Sequence, residues 1–192
     1  MYNFSPEVKG RTLPEGFTVV KYSSQEDTDA WVDICSGSLV DPATAYERFR
    51  HELTQLDGPD PYRDTYFIEK DGKKIATYTA VPDMWSTGMG YIHMVAVKPE
   101  FRGLGLGSFI ADDCIRILTE LGKKKIFLLT GDARLSALAT YIKAGFLPVN
   151  YIDDEGKDMV ERWQGVVKNL GLDSLTLLDD EGNFLTELKK ED

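Results

Sequence analysis

A glycine-rich segment in the second half of the chain carries the clearest chemical pattern of the sequence. Arg102, Gly105 and Gly107 give the spacing R-x-x-G-x-G, and an amphipathic helix pattern follows directly. The first N–H groups of a helix have no partners within it and carry a partial positive charge. Glycines also let a ligand approach the backbone closely. The segment therefore predicts an anion-binding loop, and phosphate is the anion that such loops most often bind.

Two other phosphate-binding patterns do not fit this segment. The Walker pattern G-x-x-x-x-G-K-[ST] does not occur, which argues against a nucleotide triphosphatase. The dinucleotide pattern G-x-G-x-x-G fails in both registers, because its sixth position is Ser108 counted from Gly103 and Ile110 counted from Gly105. The R-x-x-G-x-G spacing remains, placed between a strand pattern that ends at Val97 and a helix pattern.

The elements that position this loop follow from hydrophobic periodicity. Apolar and alternating runs predict strands at 17–22, 65–69, 74–81, 91–97, 126–130 and 146–151, with a final hairpin of 175–178 and 184–188. Helical spacing and capping residues predict helices within 23–37 and 41–56, over 106–121 and 135–144, and near 157–170. Asp71-Gly72 predicts a tight turn between two strands of a hairpin.

The order of these elements predicts an α/β fold, a single domain built as a three-layer mixed sheet. A mostly antiparallel sheet switches to a parallel pair, 91–97 and 126–130, around the helix after the loop, which makes a βαβ unit. We expect residues 1–16 to form a loosely ordered N-terminal arm. Residues 17–152 would form the core, and residues 153–192 would add a C-terminal helix and hairpin to the same domain.

Composition and charge narrow the possible functions. The 192 residues suffice for one well-packed domain, and the net charge of −10 disfavours nucleic acid and anionic membranes as partners. No apolar run approaches the roughly 18–20 residues of a membrane span, and no signal peptide is visible. Cys35 and Cys114 are too few for a disulfide framework or a zinc site. We therefore expect a cytoplasmic protein without a metal.

A second motif lies downstream of the loop. The segment from Ala137 to Phe146 reads A-x-x-x-Y-x-K-x-G-F, with Tyr141 and Lys143 at its centre. Together with residues 95–107, it resembles the GCN5-related N-acetyltransferases, the GNAT superfamily, over roughly residues 17–151. The resemblance implies a GNAT-like acyl-CoA N-acyltransferase fold and acetyl-CoA as the cosubstrate, with the loop holding its pyrophosphate.

The same resemblance implies which residues contact acetyl-CoA. In that family two parallel strands part next to the loop, so that the amides of the pantetheine arm pair with a free strand edge. An N–H group near Val95 would then face the thioester carbonyl as an oxyanion donor. The implied cofactor-binding residues are Met94, Val95, Ala96, Val97, Arg102, Gly103, Leu104, Gly105, Leu106, Gly107, Ser108, Tyr141 and Lys143.

Tyr141 is the candidate general acid. When an amine attacks the thioester, the departing CoA thiolate needs a proton, and a phenol beside the sulfur can supply it. The apolar stripe of its helix directs Leu138 and Ile142 towards the core and leaves Tyr141 on a flank that can face the cofactor. The alternative is an aromatic side chain that only packs.

His93 is the candidate general base, because an imidazole titrates near neutrality and can take the proton of the acceptor amine. In the serotonin N-acetyltransferase branch of the resembled family, histidines occupy this strand. The alternative is a core histidine bonded to a backbone carbonyl, with water relayed to Glu69, Asp83 or the carboxylates near Asp153 as the base. His51 falls on a polar helix face and is expected at the surface.

These residues predict an N-acetyltransferase that transfers the acetyl group of acetyl-CoA to a primary amine of a small molecule or peptide, by direct attack in a ternary complex. Neither cysteine has a sequence neighbour that suggests activation, so no covalent enzyme intermediate is expected. Two alternatives stay open. One is a non-catalytic acyl-CoA sensor, and the other is a partner-binding module whose C-terminal helix and hairpin form the interface of a possible homodimer.

Overall fold

The structure is a computed structural model that describes residues 1–152, 156 and 158–190. Six strands form a mixed sheet in the order β1-β6-β5-β4-β3-β2, and β7 and β8 form a separate hairpin. The strands are β1 (Tyr2–Asn3), β2 (Phe17–Lys21), β3 (Thr65–Lys70), β4 (Lys73–Val81), β5 (Gly90–Val97), β6 (Ile126–Leu128), β7 (Ser174–Leu178) and β8 (Phe184–Lys189). The helices are α1 (Glu26–Cys35), α2 (Ala45–Arg50), α3 (Pro61–Asp64), α4 (Leu106–Glu120), α5 (Leu135–Lys143) and α6 (Val160–Leu170).

The strand pairings confirm the predicted switch from antiparallel to parallel. β2, β3, β4 and β5 pair antiparallel in chain order, and β5 pairs parallel with β6 across the connecting helix α4. The predicted tight turn joins β3 to β4, and Asp71 and Gly72 have φ values of 50° and 73°. Two successive positive φ angles define the turn type whose twist matches a two-residue hairpin.

The sheet buries both of its faces, as the predicted three-layer arrangement requires. Phe67 and Ile68 are neighbours in β3, yet each is fully buried in a different apolar cluster. Because successive side chains of a strand point to opposite faces, the two clusters lie on opposite sides of the sheet. Ile68 belongs to the cluster that includes α4 and α5 residues, and Phe67 to the one formed with α1 and α2.

The N-terminal arm is more ordered at its start than predicted. Tyr2–Asn3 is an edge strand that pairs antiparallel with β6, and the side chain of Met1 is buried in the main core. A strand of two residues is too short to give a periodic pattern, so the sequence could not indicate it. Further along the arm, the backbone N–H groups of Lys9 and Arg11 donate to the two carboxylate oxygens of Asp112 in α4, at 2.6 and 2.7 Å.

We expect Asp112→Asn to destabilise the protein by about 2 kcal/mol, because one amide oxygen cannot replace a buried carboxylate that accepts two N–H groups. Chemical denaturation measures the free energy of unfolding. Glu120→Gln is the matched control on the same helix, since its ion pair with Arg116 is exposed and such pairs contribute about 0–1 kcal/mol. Equal effects of the two substitutions would contradict the anchoring role of Asp112.

The C-terminal part confirms the predicted helix and hairpin and corrects the segment before them. The predicted strand 146–151 forms only single bridges, from Leu147 to Tyr2 and from Val149 to Leu178. α6 begins at Val160, and the predicted start near Lys157 lies outside the described residues. Buried residues of α6 and of both hairpin strands share one apolar cluster. The bridge at Val149 joins that hairpin to the segment that follows α5.

Cys35 and Cys114 are free and buried, and burial raises the pKa of both thiols. Within the part of the chain that the structure describes, no three His, Cys, Asp or Glu side chains are placed to hold a metal ion. None of the helices among those residues combines the length and the apolarity that crossing a membrane would require.

Candidate active site

The loop before α4 presents a row of unpaired backbone N–H groups. Among the residues that the structure describes, none of the N–H groups from Gly103 to Ser108 has a hydrogen-bond partner. Gly103 and Gly105 have φ values of +79° and +80°, which side chains rarely allow, and a Cβ at either would meet no atom within 4 Å. The loop therefore combines open space at its glycines with unpaired N–H groups, which suit it to bind an anion at the start of α4.

The predicted residue Arg102 helps to hold this loop against the end of β5. A single turn of 3₁₀ helix, Pro99–Phe101, follows the strand, and the N–H of Arg102 donates to the carbonyl of Pro99 at 3.2 Å. The Nε of Arg102 donates to the carbonyl of Val97, also at 3.2 Å. These two bonds tie the loop to the carboxyl end of β5.

β5 and β6 part next to the loop, as the family resemblance implied. Their parallel pairing ends at Ile92 and Leu128, and beyond that point the described part of β5 pairs only with β4. Met94 lies at the parting with a φ of +47°, opposite an irregularity in the β4 register. A positive φ at such a residue costs about 1–3 kcal/mol and is found mainly at functional sites. Residues 94–97, predicted to contact the cofactor, thus lie on a strand edge that β6 leaves free.

The predicted residues Ser108 and Lys143 line one narrow cleft between the first turn of α4 and the end of α5. Lys9 and Arg11 of the N-terminal arm line the same cleft together with Asp112, so three cationic residues and one carboxylate lie beside the first turns of α4. The two arm residues were not predicted, because only the Asp112 contacts bring them to this place. Leu106 is buried at the start of α4, whereas Leu104 is exposed at the tip of the loop.

Tyr141 is more buried than its helical pattern predicts. Its side chain is 8% exposed and lies in the main core, where its ring packs edge-on to Phe146 at 5.9 Å, while Ile142 is only partly buried. The helical pattern did not indicate this degree of burial, which arises because the ring packs in the cluster that α4 and the sheet also form. Burial raises the pKa of the Tyr141 phenol, so the group keeps its proton at neutral pH.

His93 is the first residue of β5 after the last pair with β6. Its side chain is 8% exposed, and its ring lies 4.9 Å from that of Tyr91. The ring Nε2 is 3.0 Å from Oε2 of Glu52, but the oxygen lies off the N–H direction, so the contact is an electrostatic pair rather than a formed hydrogen bond. The imidazole therefore faces a carboxylate, and not the backbone carbonyl of the alternative interpretation.

Glu52 is a candidate site residue, because it contacts His93, and the sequence analysis did not single it out. The signal was present, because Glu52 falls on the buried stripe of its helix with Phe49 and Leu53, where a carboxylate is unexpected. The predicted alternatives lie elsewhere. Glu69 belongs to β3, which β4 separates from β5, and Asp83 accepts the N–H of a glycine in the loop before β5. The carboxylates near Asp153 lie outside the described residues.

Residues 28–146 match the family model described as Acetyltransferase (GNAT) family. A putative [ribosomal protein bS18]-alanine N-acetyltransferase of Bacillus subtilis is 30% identical over 142 residues, which cover 72% of this chain and 89% of that protein. A mycothiol acetyltransferase of Kytococcus sedentarius is 26% identical over 139 residues, with 70% and 46% covered. A GCN5-related N-acetyltransferase structure from Sphaerobacter thermophilus has a TM-score of 0.58 at 20% identity, with 73% and 44% covered.

The chain belongs to the GNAT acetyltransferase family, because the family model matches more than half of it. The predicted fold class is confirmed by the mixed sheet and by the likeness to the solved structure. The predicted enzyme class, an acetyl-CoA-dependent N-acetyltransferase, is confirmed by the family and by the named relatives. The chain spans less than half the length of the mycothiol acetyltransferase and of the solved structure.

Proposed function

We propose that this N-acetyltransferase acetylates a primary amine of a peptide or small molecule by direct attack of the amine on the thioester of acetyl-CoA. The observation that carries the proposal is the parting of β5 and β6 directly beside the open loop before α4. A free strand edge and an anion-binding helix start at the same end of a βαβ unit suit a long ligand with an amide arm and a pyrophosphate.

In this proposal the loop binds the phosphates and β5 binds the arm. The unpaired N–H groups of Gly103 to Ser108 donate to the pyrophosphate, and Lys143 adds a positive charge beside them. The backbone of Met94 to Val97 pairs with the amides of the pantetheine arm. The N–H of Val95 donates to the thioester oxygen, where negative charge develops during attack.

The proposed proton transfers use the two predicted side chains. As the amine nitrogen bonds to the carbonyl carbon, His93 takes one proton from that nitrogen. As the carbon–sulfur bond breaks, the hydroxyl of Tyr141 gives its proton to the sulfur, and solvent restores both groups. The buried thiols of Cys35 and Cys114, with raised pKa values, support a path without a covalent enzyme intermediate.

We propose that the acceptor enters from the side of the sheet that carries α2. There Tyr91 and Phe127 stack at 4.5 Å, and the half-exposed ring of Trp85 lies about 6 Å from both. The Bacillus subtilis relative is named for an alanine of a ribosomal protein, and the chain covers most of that relative, so an alanine-starting peptide is our first acceptor to test.

The location and assembly are proposals as well. We propose a cytoplasmic enzyme, which the two free buried thiols support.

We also propose a homodimer through the C-terminal hairpin, whose strand β8 exposes Phe184 and Leu185. Light scattering of the purified protein measures its mass in solution, and a monomer at all concentrations would overturn the dimer.

A thiol-release assay with acetyl-CoA tests the proposed function against panels of peptides, amino acids and small amines. We expect CoA release that depends on at least one primary amine. Tight binding of acetyl-CoA without release by any amine would favour the sensor interpretation instead. If acetyl-CoA also fails to shift the thermal unfolding midpoint, the chain is better explained as a partner-binding module.

A further inference from the structure

Glu52 is a buried carboxylate surrounded by three basic side chains. Its Oε1 lies 2.8 Å from a terminal nitrogen of Arg48 and 3.2 Å from Nδ1 of His51. Its Oε2 lies 3.0 Å from Nε2 of His93. Glu52 and His93 are each 8% exposed, whereas the side chains of Arg48 and His51 are more than half exposed. The two oxygens thus have separate partners: Oε1 contacts the exposed side chains of Arg48 and His51, and Oε2 contacts the buried ring of His93.

The backbone around Glu52 departs from a regular helix. After α2, the chain continues as a π-helix over His51–Gln55. Such wider turns are rare and occur frequently at functional sites. Here the wider turn carries Glu52, which is buried next to Leu53, while Arg48 and His51 stay at the surface, in line with the surface position predicted for His51.

The surroundings of Glu52 keep its side chain ionised. The contact with His93 is the largest influence and lowers the pKa of the Glu52 carboxyl, burial opposes it, and the charge of Arg48 lowers the pKa further. Conversely, burial and the charge of Glu52 raise the pKa of Tyr91, which therefore stays neutral beside the pair. His93 thus faces the negative carboxylate of Glu52 and the neutral phenol of Tyr91. Arg48 and His51 contact the far oxygen of the Glu52 carboxylate.

Fold stability alone is a weak explanation for this arrangement. A buried ion pair rarely adds net stability, since desolvation offsets the attraction unless the geometry is excellent. The geometry of the Glu52–His93 pair is not excellent, because Nε2 of His93 is buried without a well-directed hydrogen bond. A carboxylate 3.0 Å from a ring nitrogen can, however, stabilise the charged form of a histidine base, as a carboxylate does in other enzymes.

We propose that Glu52 is a positioning residue for His93 in acetyl transfer. The carboxylate of Glu52 faces Nε2 of the His93 ring, so that Nδ1 is the nitrogen that takes the proton of the amine. The negative charge of Glu52 then stabilises the imidazolium that this transfer forms. Arg48 and His51 hold the other carboxylate oxygen and fix the direction of the side chain. The inference rests on the proposed function, because it requires His93 to act as the base.

The first expected result concerns Glu52→Gln, which keeps the shape of the side chain and removes its charge. We expect kcat/KM for the amine acceptor to fall about tenfold. The profile of kcat/KM against pH should also differ from that of the parent protein, whereas a purely structural role of Glu52 would leave its shape unchanged. Glu47→Gln is the matched control, an exposed carboxylate on α2, the helix that leads into the π-helix, and should change kcat/KM less than twofold.

A double-mutant cycle separates action through His93 from a general effect on the fold. In the His93→Gln background, we expect Glu52→Gln to change kcat/KM less than twofold, since the base through which it acts is gone. An undiminished tenfold loss in that background would overturn the positioning role and leave the base assignment standing. Full activity of His93→Gln alone would overturn the base assignment, and the present inference with it.

Thermal unfolding of each variant shows whether the kcat/KM values of the double-mutant cycle are measured on folded protein. If Glu52→Gln unfolds below the assay temperature, Glu52→Asp takes its place in the cycle, because it keeps the charge and withdraws the carboxylate from the ring. We expect Glu52→Asp to lower kcat/KM in the parent protein and to have little effect in the His93→Gln background. Unchanged activity of Glu52→Asp in the parent protein would overturn the requirement for position.

Discussion

Tyr141→Phe should lower kcat about 10²- to 10³-fold with little change in the KM for acetyl-CoA. A positioned general acid contributes about 10²- to 10⁴-fold to a rate, and without it the sulfur must leave as an unprotonated thiolate. The aromatic ring that packs against Phe146 is retained, so the binding surface changes little. Steady-state kinetics of CoA release measures both constants.

The fold should tolerate this substitution, which makes the kinetic result interpretable. Among the described residues the Tyr141 hydroxyl has no hydrogen-bond partner, so its removal leaves no buried polar group unpaired. We expect the free energy of unfolding to change by about 0.5 kcal/mol or less. Tyr66→Phe is the matched control, because Tyr66 packs against the same core cluster from β3, and its activity should stay within twofold of the parent protein.

The pH dependence gives this prediction a second measurement. Burial disfavours the phenolate and raises the pKa of Tyr141 above its ordinary value of about 10, so the proton-donating form persists through alkaline assay conditions. In the parent protein, kcat should therefore show no decline from this group below about pH 10. Undiminished turnover of Tyr141→Phe across the same pH range would remove the assignment of Tyr141 as the acid.

The loop and the βαβ unit could be predicted because their signals are local. Gly103, Gly105 and the helix pattern that starts at Leu106 are contiguous in sequence, and the structure keeps them as a single strand, loop and helix. Turn chemistry was equally local at Asp71 and Gly72, where two positive φ angles follow from the residue types. Such features need no knowledge of what packs against them.

The missing parts of the site depend on contacts between distant segments. Glu52 meets His93 only because the π-helix after α2 packs over β5, and no pattern within either segment states that contact. Lys9 and Arg11 lie beside the start of α4 because Asp112 binds their backbone N–H groups, a contact that spans more than a hundred residues. Tyr141 was assigned to a flank because helical spacing cannot tell which side of α5 the sheet covers.

Gly107→Ala should stabilise the folded protein and yet impair the enzyme. Gly107 is a helical residue of α4, and a Cβ there would meet only Oγ1 of Thr140, at 4.0 Å. Replacing an unstrained helical glycine by alanine stabilises a protein by about 0.5–1 kcal/mol. Neither the packing nor the backbone conformation of the folded protein therefore requires a glycine at this position.

The proposed pyrophosphate contact supplies that reason. A methyl group at Gly107 would stand where the phosphate oxygens approach the N–H groups of the first turn, and each charge-assisted hydrogen bond lost costs about 1.5–3 kcal/mol. We expect kcat/KM for acetyl-CoA to fall about 30- to 100-fold, mainly through KM. Steady-state kinetics with varied acetyl-CoA, together with thermal unfolding, measures the two opposed effects.

Gly165→Ala is the matched control, because it should stabilise the protein in the same way as Gly107→Ala without raising the KM for acetyl-CoA. Gly165 lies within α6, and a Cβ there would meet no atom within 4 Å, so this substitution should stabilise the protein by a similar amount. Its KM for acetyl-CoA should equal that of the parent protein, because Gly165 belongs to none of the segments proposed to bind the cofactor and its new methyl group would contact no other atom. If Gly107→Ala gains stability and keeps the parent KM, the phosphates do not bind at the first turn of α4.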